Sequence, residues 1–347
     1  MKTKIFCMTH KKFDIPSDST YVPLQVGAST HYNLGYLTDD NGDNISDLNC
    51  YYSELTGVYW VWKNVHDADL VGVCHYRRFL LNEAELVFTK SEIEQLLTSY
   101  DILTSKSLEL NFSYYYGFGH NHAMDDLDNT MEVIGELYPD FLPLFEKRVH
   151  ENHTYFGNIM YCKKDLFDEY CSFLFPIFFE LHKRINLDSY DDYHKRLYGF
   201  ISEFILFVWC EYKGLKVKEC KVGFIGEKTE TRETKLQIDK YLKKHDIKSA
   251  KNYFLNVRQK RPDILMEASD ITGELHLCLE IISICEFELL KIGEIMAPID
   301  YPFDEMIAWV RRLNRAASKN EPFSEEYSSE IAYDIAKKLY SNNSVFK

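Results

Sequence analysis

The run Asp69-Leu70-Val71-Gly72-Val73-Cys74, which stops at His75-Tyr76-Arg77-Arg78, constrains this chain more than any other stretch. A short, continuous apolar segment suits a strand buried on both faces, as in parallel sheets covered by helices. It halts at a histidine and two arginines. In open α/β sheets ligands sit outside the carboxyl ends of the strands. Guanidinium groups at such an end suit a phosphorylated ligand, because they bind phosphate through charge-assisted, often bidentate hydrogen bonds.

The surrounding sequence repeats the alternation. Lys4 to Met8 reads as a first strand that ends in the polar loop Thr9-His10-Lys11-Lys12. Residues 14 to 50 carry little periodicity and read as one long loop, of a length that is usually functional or disordered, with Tyr21, Tyr32 and Tyr36 favouring order. Ser53 to Asn64 reads as a helix with Leu55, Tyr59 and Trp62 on one face. Ser91 to Ser99 reads as a helix with Ser91 as its N-cap, and Tyr100 to Thr104 as a strand. Tyr114 to His122 reads as an aromatic, histidine-rich loop before a helix from Asp125 to Leu137. Further expected elements are a strand over 158–162, helices over 164–183 and 188–213, and a strand over 215–222. Strands alternating with helices indicate an α/β domain over residues 1–227. After Glu227 the composition changes: Lys240 to Arg261 holds eight Lys or Arg against one Asp. Residues 228–347 read as a mainly helical C-terminal appendage.

A chain of 347 residues that is 46% hydrophobic can bury a substantial core, which excludes a disordered protein. Its net charge of −14 argues against nucleic acid as a partner, since such binding needs basic surface. Twenty-five Tyr and twenty-three Phe are many; some belong to the core, and such abundance also suits stacking on sugar rings or bases. The nine cysteines form no C-x-x-C pair and read as reduced core thiols of a cytoplasmic protein. The N-terminus does not resemble a signal peptide, and no apolar run is long enough to cross a bilayer.

Several polar clusters are candidates for chemistry. Glu203 lies in the apolar context Leu197-Tyr198-Gly199-Phe200-Ile201-Ser202-Glu203, where desolvation would raise its pKa toward that of a general base. A structural pair with Arg196 is the plainer alternative. Asp39, Asp43 and Asn44 form a polar loop suited to sugar hydroxyls or, more simply, to Asx turns. Their spacing does not match a calcium loop. His120 and His122, with Asp125 and Asp126, invite a metal reading, but the metallo-hydrolase pattern fails at Met124. Asp125 and Asp126 also serve as alternative general bases.

The segments KIFCMTHK, PLQVGA, LGYLTDDNGDNIS, NCYYSELTGVYWVWKN, VGVCHYRRFL, NIMYCKKDLFDEYCSFLFPI and RLYGFISE together resemble one bacterial family. It was formerly listed as a domain of unknown function in capsule, exopolysaccharide and O-antigen gene clusters and is now regarded as glycosyltransferases, galactofuranosyltransferases among them. The resemblance spans roughly residues 3 to 226. It implies a GT-A-like, nucleotide-sugar-binding α/β domain in which His75-Tyr76-Arg77 stands where other GT-A enzymes carry a metal-binding Asp-x-Asp.

The expected function is transfer of a sugar, best matched by galactofuranose from UDP-galactofuranose, to a growing surface polysaccharide with inversion. Thr9, His10, His75, Tyr76, Arg77 and Arg78 are the expected donor-binding residues. Asp39, Asp43, Asn44 and Arg196 are assigned to the sugar, Glu203 to the base, and Asp125 or Asp126 to the reserve base. No cofactor is expected, although Mn2+ or Mg2+ is left open. The partners are a nucleotide-sugar donor and a lipid-linked glycan acceptor; Lys240 to Arg261 reads either as a peripheral contact with anionic lipid at the inner face of the membrane or, more commonly for such a run, as a solvated charged helix. The competing readings are a non-catalytic glycan-binding subunit and, less favoured, a metal-dependent hydrolase.

Overall fold

A computed structural model describes residues 1–266, 269–325 and 327–342. The chain divides into two compact units, Met1–Ile225 and Gly226–Lys347.

The first unit is built on an eight-stranded mixed sheet. Its strands are β1 (Thr3–Thr9), β2 (Tyr21–Gln25), β3 (Leu37–Thr38), β4 (Leu70–His75), β5 (Arg78–Leu81) and β6 (Ile102–Ser105). A short separate pair, β7 (Leu108–Glu109) with β8 (His153–Thr154), precedes β9 (Met160–Lys163) and β10 (Val217–Phe224). Parallel pairing joins β3, β2, β1 and β4, and Met8 of β1 lies level with His75 of β4. Beyond β4 lies antiparallel β9, then β6, β10 and finally β5. The carboxyl ends of β1, β2 and β4 therefore open on one edge.

Alternation along the strands divides the core. Phe6 and Met8 of β1 and Val71 and Val73 of β4 face one hydrophobic cluster, whereas Ile5, Cys7, Leu70 and Cys74 face another. The first cluster is covered by helices α1 (Asn49–Tyr52), α2 (Leu55–Asn64), α4 (Tyr114–Asn121), α5 (Met124–Leu137), α6 (Leu142–Val149), α7 (Lys164–Arg184) and α8 (Leu197–Tyr212). On the other face lies α3 (Lys90–Leu96), which buries Ile93. Helix α2 packs tightly: a Cβ on Gly57 would meet Met8 Sδ and, at 2.7 Å, Val26 Cγ1.

The second unit contains α9 (Thr229–Leu242), α10 (Ile247–Lys260), α11 (Glu274–Lys291), α12 (Phe303–Lys319) and α13 (Glu330–Asn342) around its own core. Lys240 to Arg261 spans the end of α9 and all of α10, whose Ile247, Ala250 and Phe254 are buried. Among the described residues no helix is long and apolar enough to cross a membrane.

Four local expectations need correction. The segment 14–50 contains β2, β3 and two 3-10 turns. Pro23 hides β2 in sequence, yet it pairs with Cys7 in the parallel ladder. Thr89, not Ser91, caps α3, because Thr89 and Glu92 complete a reciprocal capping box. Residues 114–121 are helical, since the Ser113 hydroxyl accepts the Tyr116 amide and starts the turn. Residues 188–196 hold two 3-10 turns, and the helix begins only at Leu197.

Candidate active site

The strand ends carry two adjoining groups of side chains. At the tips of β1 and β4, the His10 and Tyr76 rings meet edge to face at 5.2 Å between centroids. Phe13 packs on Tyr76 and on Tyr36, and the Lys12 ammonium stands 5.1 Å from the Tyr36 centroid. Thr9 is buried and shapes the turn, its hydroxyl donating to Lys11 O and accepting from Lys11 N. Tyr36 lies in the segment that lacks periodicity and Phe13 just before it, so spacing could not assign them.

The second group is charged. It comprises Glu54 at the start of α2, His75 at the end of β4, Arg78 at the start of β5, and Arg196 and Glu203 around the first turns of α8. The loop before β9 holds them together. His75 Nε2 donates to Gly157 O at 2.6 Å, while Gly157 N donates to Glu203 Oε1 at 2.8 Å. Asn158 Nδ2 donates to Glu54 Oε1 at 2.7 Å and to Gly199 O at 2.9 Å, and the Ser202 hydroxyl donates to Asn158 Oδ1 at 2.8 Å.

Two links in this web adopt backbone conformations that L-residues avoid. Ser53, just before Glu54, has φ 49°, and Asn158 has φ 43°. Strain of this kind persists only where surrounding structure enforces it, and it concentrates at functional sites. Here the enforcing bonds are the ones just named, together with Asn49 Nδ2 donating to Ser53 O at 2.6 Å.

Electrostatics separates the two carboxyl groups. Burial lifts Glu203 to about 8; Arg78 and the Gly157 amide oppose the rise, and Glu54 adds to it. Burial also pushes on Glu54, but His75, the Asn158 amide and Arg196 outweigh it and hold Glu54 below the ordinary carboxylate range. Burial depresses His75 to about 4 against the pull of Glu54, so its imidazole is neutral at pH 7 and donates to the Gly157 carbonyl. Two carboxyl groups driven apart in this way provide one permanent anion and one group able to exchange a proton near neutrality.

The cations are the open part of the cluster. Burial lowers the pKa of Arg78, although Glu203 and Glu54 favour its charge. Its guanidinium faces the Phe156 ring at 5.1 Å and makes no ion pair or hydrogen bond among the described residues. Arg196 spends one nitrogen on the Ser53 hydroxyl at 3.2 Å and stands 5.7 Å from the Phe200 centroid. The two guanidiniums repel one another. Half-buried Arg78 and exposed Arg196 make no direct ion pair among the described residues, and with Glu54 and Glu203 acting on Arg78 only at a distance their guanidinium groups can take up an anion.

Other expected site residues fall elsewhere. Arg77 extends its Nε to Ile225 O at 3.2 Å. Asp39 is fully buried and accepts from Gly27 N, Ala28 N, Ser46 Oγ and Thr56 Oγ1, so its carboxylate anchors the loop to α2. Asp43 accepts from the Tyr59 hydroxyl, and Asn44 closes an Asx turn onto Ser46 N. Asp125 is exposed in the first turn of α5; buried Asp126 accepts from the Tyr190 hydroxyl at 2.8 Å. No hydrogen bond or ion pair among the described residues joins either of them to Arg78 or Glu203. His120 Nδ1 donates to Tyr116 O, whereas His122 is stacked on Tyr193. No three metal-ligating side chains cluster among the described residues. Glu54 and Asn158 were not singled out from sequence, although both lie inside the recognisable segments SELTG and NIMYCKK.

A family profile described as a domain of unknown function, DUF4422, matches residues 4–214, most of the first unit. The chain belongs to the DUF4422 family. Among solved structures, this DUF4422 protein is similar to the bifunctional glycosyltransferase WbbM in its apo state, with a TM-score of 0.61 and 28% sequence identity. The match covers 65% of this chain and 46% of that one, so the chain spans less than half of the WbbM chain's length. A comparison with curated proteins finds no match.

Proposed function

We propose that this DUF4422 protein is a glycosyltransferase whose first unit, a GT-A-like domain, takes its sugar from a nucleotide donor. The observation that carries the reading is Arg78, a half-buried guanidinium with no direct hydrogen bond or ion pair among the described residues, near Arg196 where the parallel strands β1, β2 and β4 end. A donor diphosphate supplies the direct charge-assisted contacts that Arg78 does not make within the protein. As the glycosidic bond to the nucleotide breaks, charge builds on the departing phosphate, and fixed cations stabilise that state without reorganising. Likeness to WbbM supports the transfer of a sugar as the reaction.

The remaining parts follow from position. His10, Tyr76, Phe13 and Tyr36 offer aromatic faces and edges to a base at the strand tips. Glu203 has one oxygen fixed by the Gly157 amide and takes the acceptor hydroxyl proton with the other. A single base with no positioned nucleophile suits inversion by one displacement. Glu54 and His75 are positioning residues that hold the 157–158 loop. Asp43 and Asn44 remain candidates for sugar contacts at the rim, and Asp125 or Asp126 for an auxiliary base. UDP-galactofuranose as donor, a lipid-linked surface glycan as acceptor and contact with a membrane complete the proposal.

Incubating the protein with a panel of UDP- and other nucleotide sugars, with and without manganese, and measuring released nucleoside diphosphate tests this reading. Turnover of at least one donor, lost in Glu203→Gln, is expected. Sugar binding without any nucleotide binding would replace the proposal with a non-catalytic glycan-binding role.

A further inference from the structure

Helix α11 is apolar on more of its circumference than the core of the second unit uses. Leu275, Cys278, Ile281, Ile282 and Cys285 face that core. At the carboxyl end, Phe287, Leu290 and Ile292 remain 47%, 75% and 47% exposed. A helix that is apolar all round is ordinarily covered on every side, and apolar side chains exposed together mark an interaction surface. This end is firmly built. Ile292 and Gly293 both donate their amides to Glu288 O, and Gly293 turns the chain with φ 80°. The buried Glu288 carboxylate accepts from Met296 N at 2.8 Å and Ala297 N at 3.1 Å, which pins the following loop and leaves the Met296 side chain exposed.

The neighbouring face of α10 is basic. Lys251 pairs with Glu286 Oε2 at 2.7 Å, which sets that face against the end of α11. Lys248, Lys251, Leu255 and Arg258 recur at three- and four-residue spacing and are exposed, while Ile247, Ala250 and Phe254 are buried. Their run, Lys240 to Arg261, concentrates eight Lys or Arg in a chain of net charge −14. Glu286 is already paired, and Glu294 is the acidic exception just past the apolar end.

Cations beside apolar side chains discriminate between occupants. A second copy related by a two-fold axis would bring the patch against itself, cation against cation. An anionic bilayer offers an apolar interior and the opposite charge together. We propose that this face of the second unit docks on a membrane, with Phe287, Leu290 and Ile292 entering the acyl boundary and the α10 cations meeting anionic headgroups. Such a surface lies in the interface and does not span it. The inference gives a place to the membrane contact of the proposed function and rests on that part alone, so nucleotide-sugar transfer stands or falls separately.

Co-sedimentation of the full chain with vesicles tests it, using phosphatidylcholine alone and phosphatidylcholine mixed with phosphatidylglycerol. The mixed vesicles should hold the protein at least about tenfold more tightly than the neutral ones. Leu290→Glu, and Lys248→Glu combined with Arg258→Glu, alter exposed positions. Each should weaken binding about tenfold or more while the circular dichroism melt stays that of a folded protein. No binding to the mixed vesicles would remove the membrane contact altogether. Equal binding to neutral vesicles, or indifference to either variant, would keep a membrane contact and overturn this surface as its seat. A dimer in sedimentation velocity that Leu290→Glu dissociates, with vesicle binding unaffected, would assign the face to a second copy instead.

Discussion

Replacing Glu203 by Gln should change how the stability of the first unit depends on pH. The folded protein holds this carboxyl near 8 against an ordinary value of 4.5. Between those values the folded state keeps a proton that the unfolded chain has released, so stability falls as pH rises. His75 acts in the opposite sense, but only below its ordinary value of 6.5, because its folded value is about 4. The window from pH 6.5 to 8 therefore isolates Glu203 within the cluster. One pKa unit corresponds to about 1.36 kcal/mol, and partial ionisation near pH 8 trims the 1.5-unit span to a loss of about 1.6 kcal/mol. The Glu280 carboxyl of the second unit, raised to about 7 by burial, is common to both proteins and cancels in the difference. Urea titrations followed by tryptophan fluorescence suit the measurement, since Trp60, Trp62 and Trp209 belong to the first unit. The wild-type stability should fall relative to Glu203→Gln by about 1.6 kcal/mol across this window. Parallel curves would refute the desolvation argument.

The same group controls the rate: kcat/KM should rise about tenfold per pH unit below 8 and level above it, which a pH profile of donor turnover reads directly. Asp39→Ala leaves four donors facing a vacated site and should cost about 3 kcal/mol or more, measured by chemical denaturation. Gly57→Ala gains up to about 1 kcal/mol in helix propensity but forces a methyl group against Val26 and Met8, an overpacking cost of about 1–3 kcal/mol. A lowered thermal midpoint is expected, and an unchanged or raised one would show that α2 can move away.

The sequence exposed elements whose signals are local. The apolar run 70–75 and the aromatic helix over 55–64 stand where composition and period place them. The elevated Glu203 was legible for the same reason, since desolvation follows from apolar neighbours on its own helix. Glu54 and Asn158 were not, because their importance exists only once α2 and the loop before β9 meet across more than a hundred residues. Asp39 shows the reverse failure. Its polar, turn-rich surroundings suggest exposure, yet four donors from distant positions draw the carboxylate inside. Helix α4 was obscured by Gly117 and Gly119, whose poor helix propensity is overridden by the Ser113 cap and by stacking of Tyr114 on Phe204 at 3.9 Å.

The claim at the centre of this account is that Arg78 awaits a diphosphate. Calorimetric titration of UDP into the wild-type protein and into Arg78→Gln tests it most directly. The account predicts saturable binding by the wild type and a loss of about tenfold or more in the variant, the effect of removing one charge-assisted contact. Equal affinities in the two proteins, or no heat from the wild type, would contradict it.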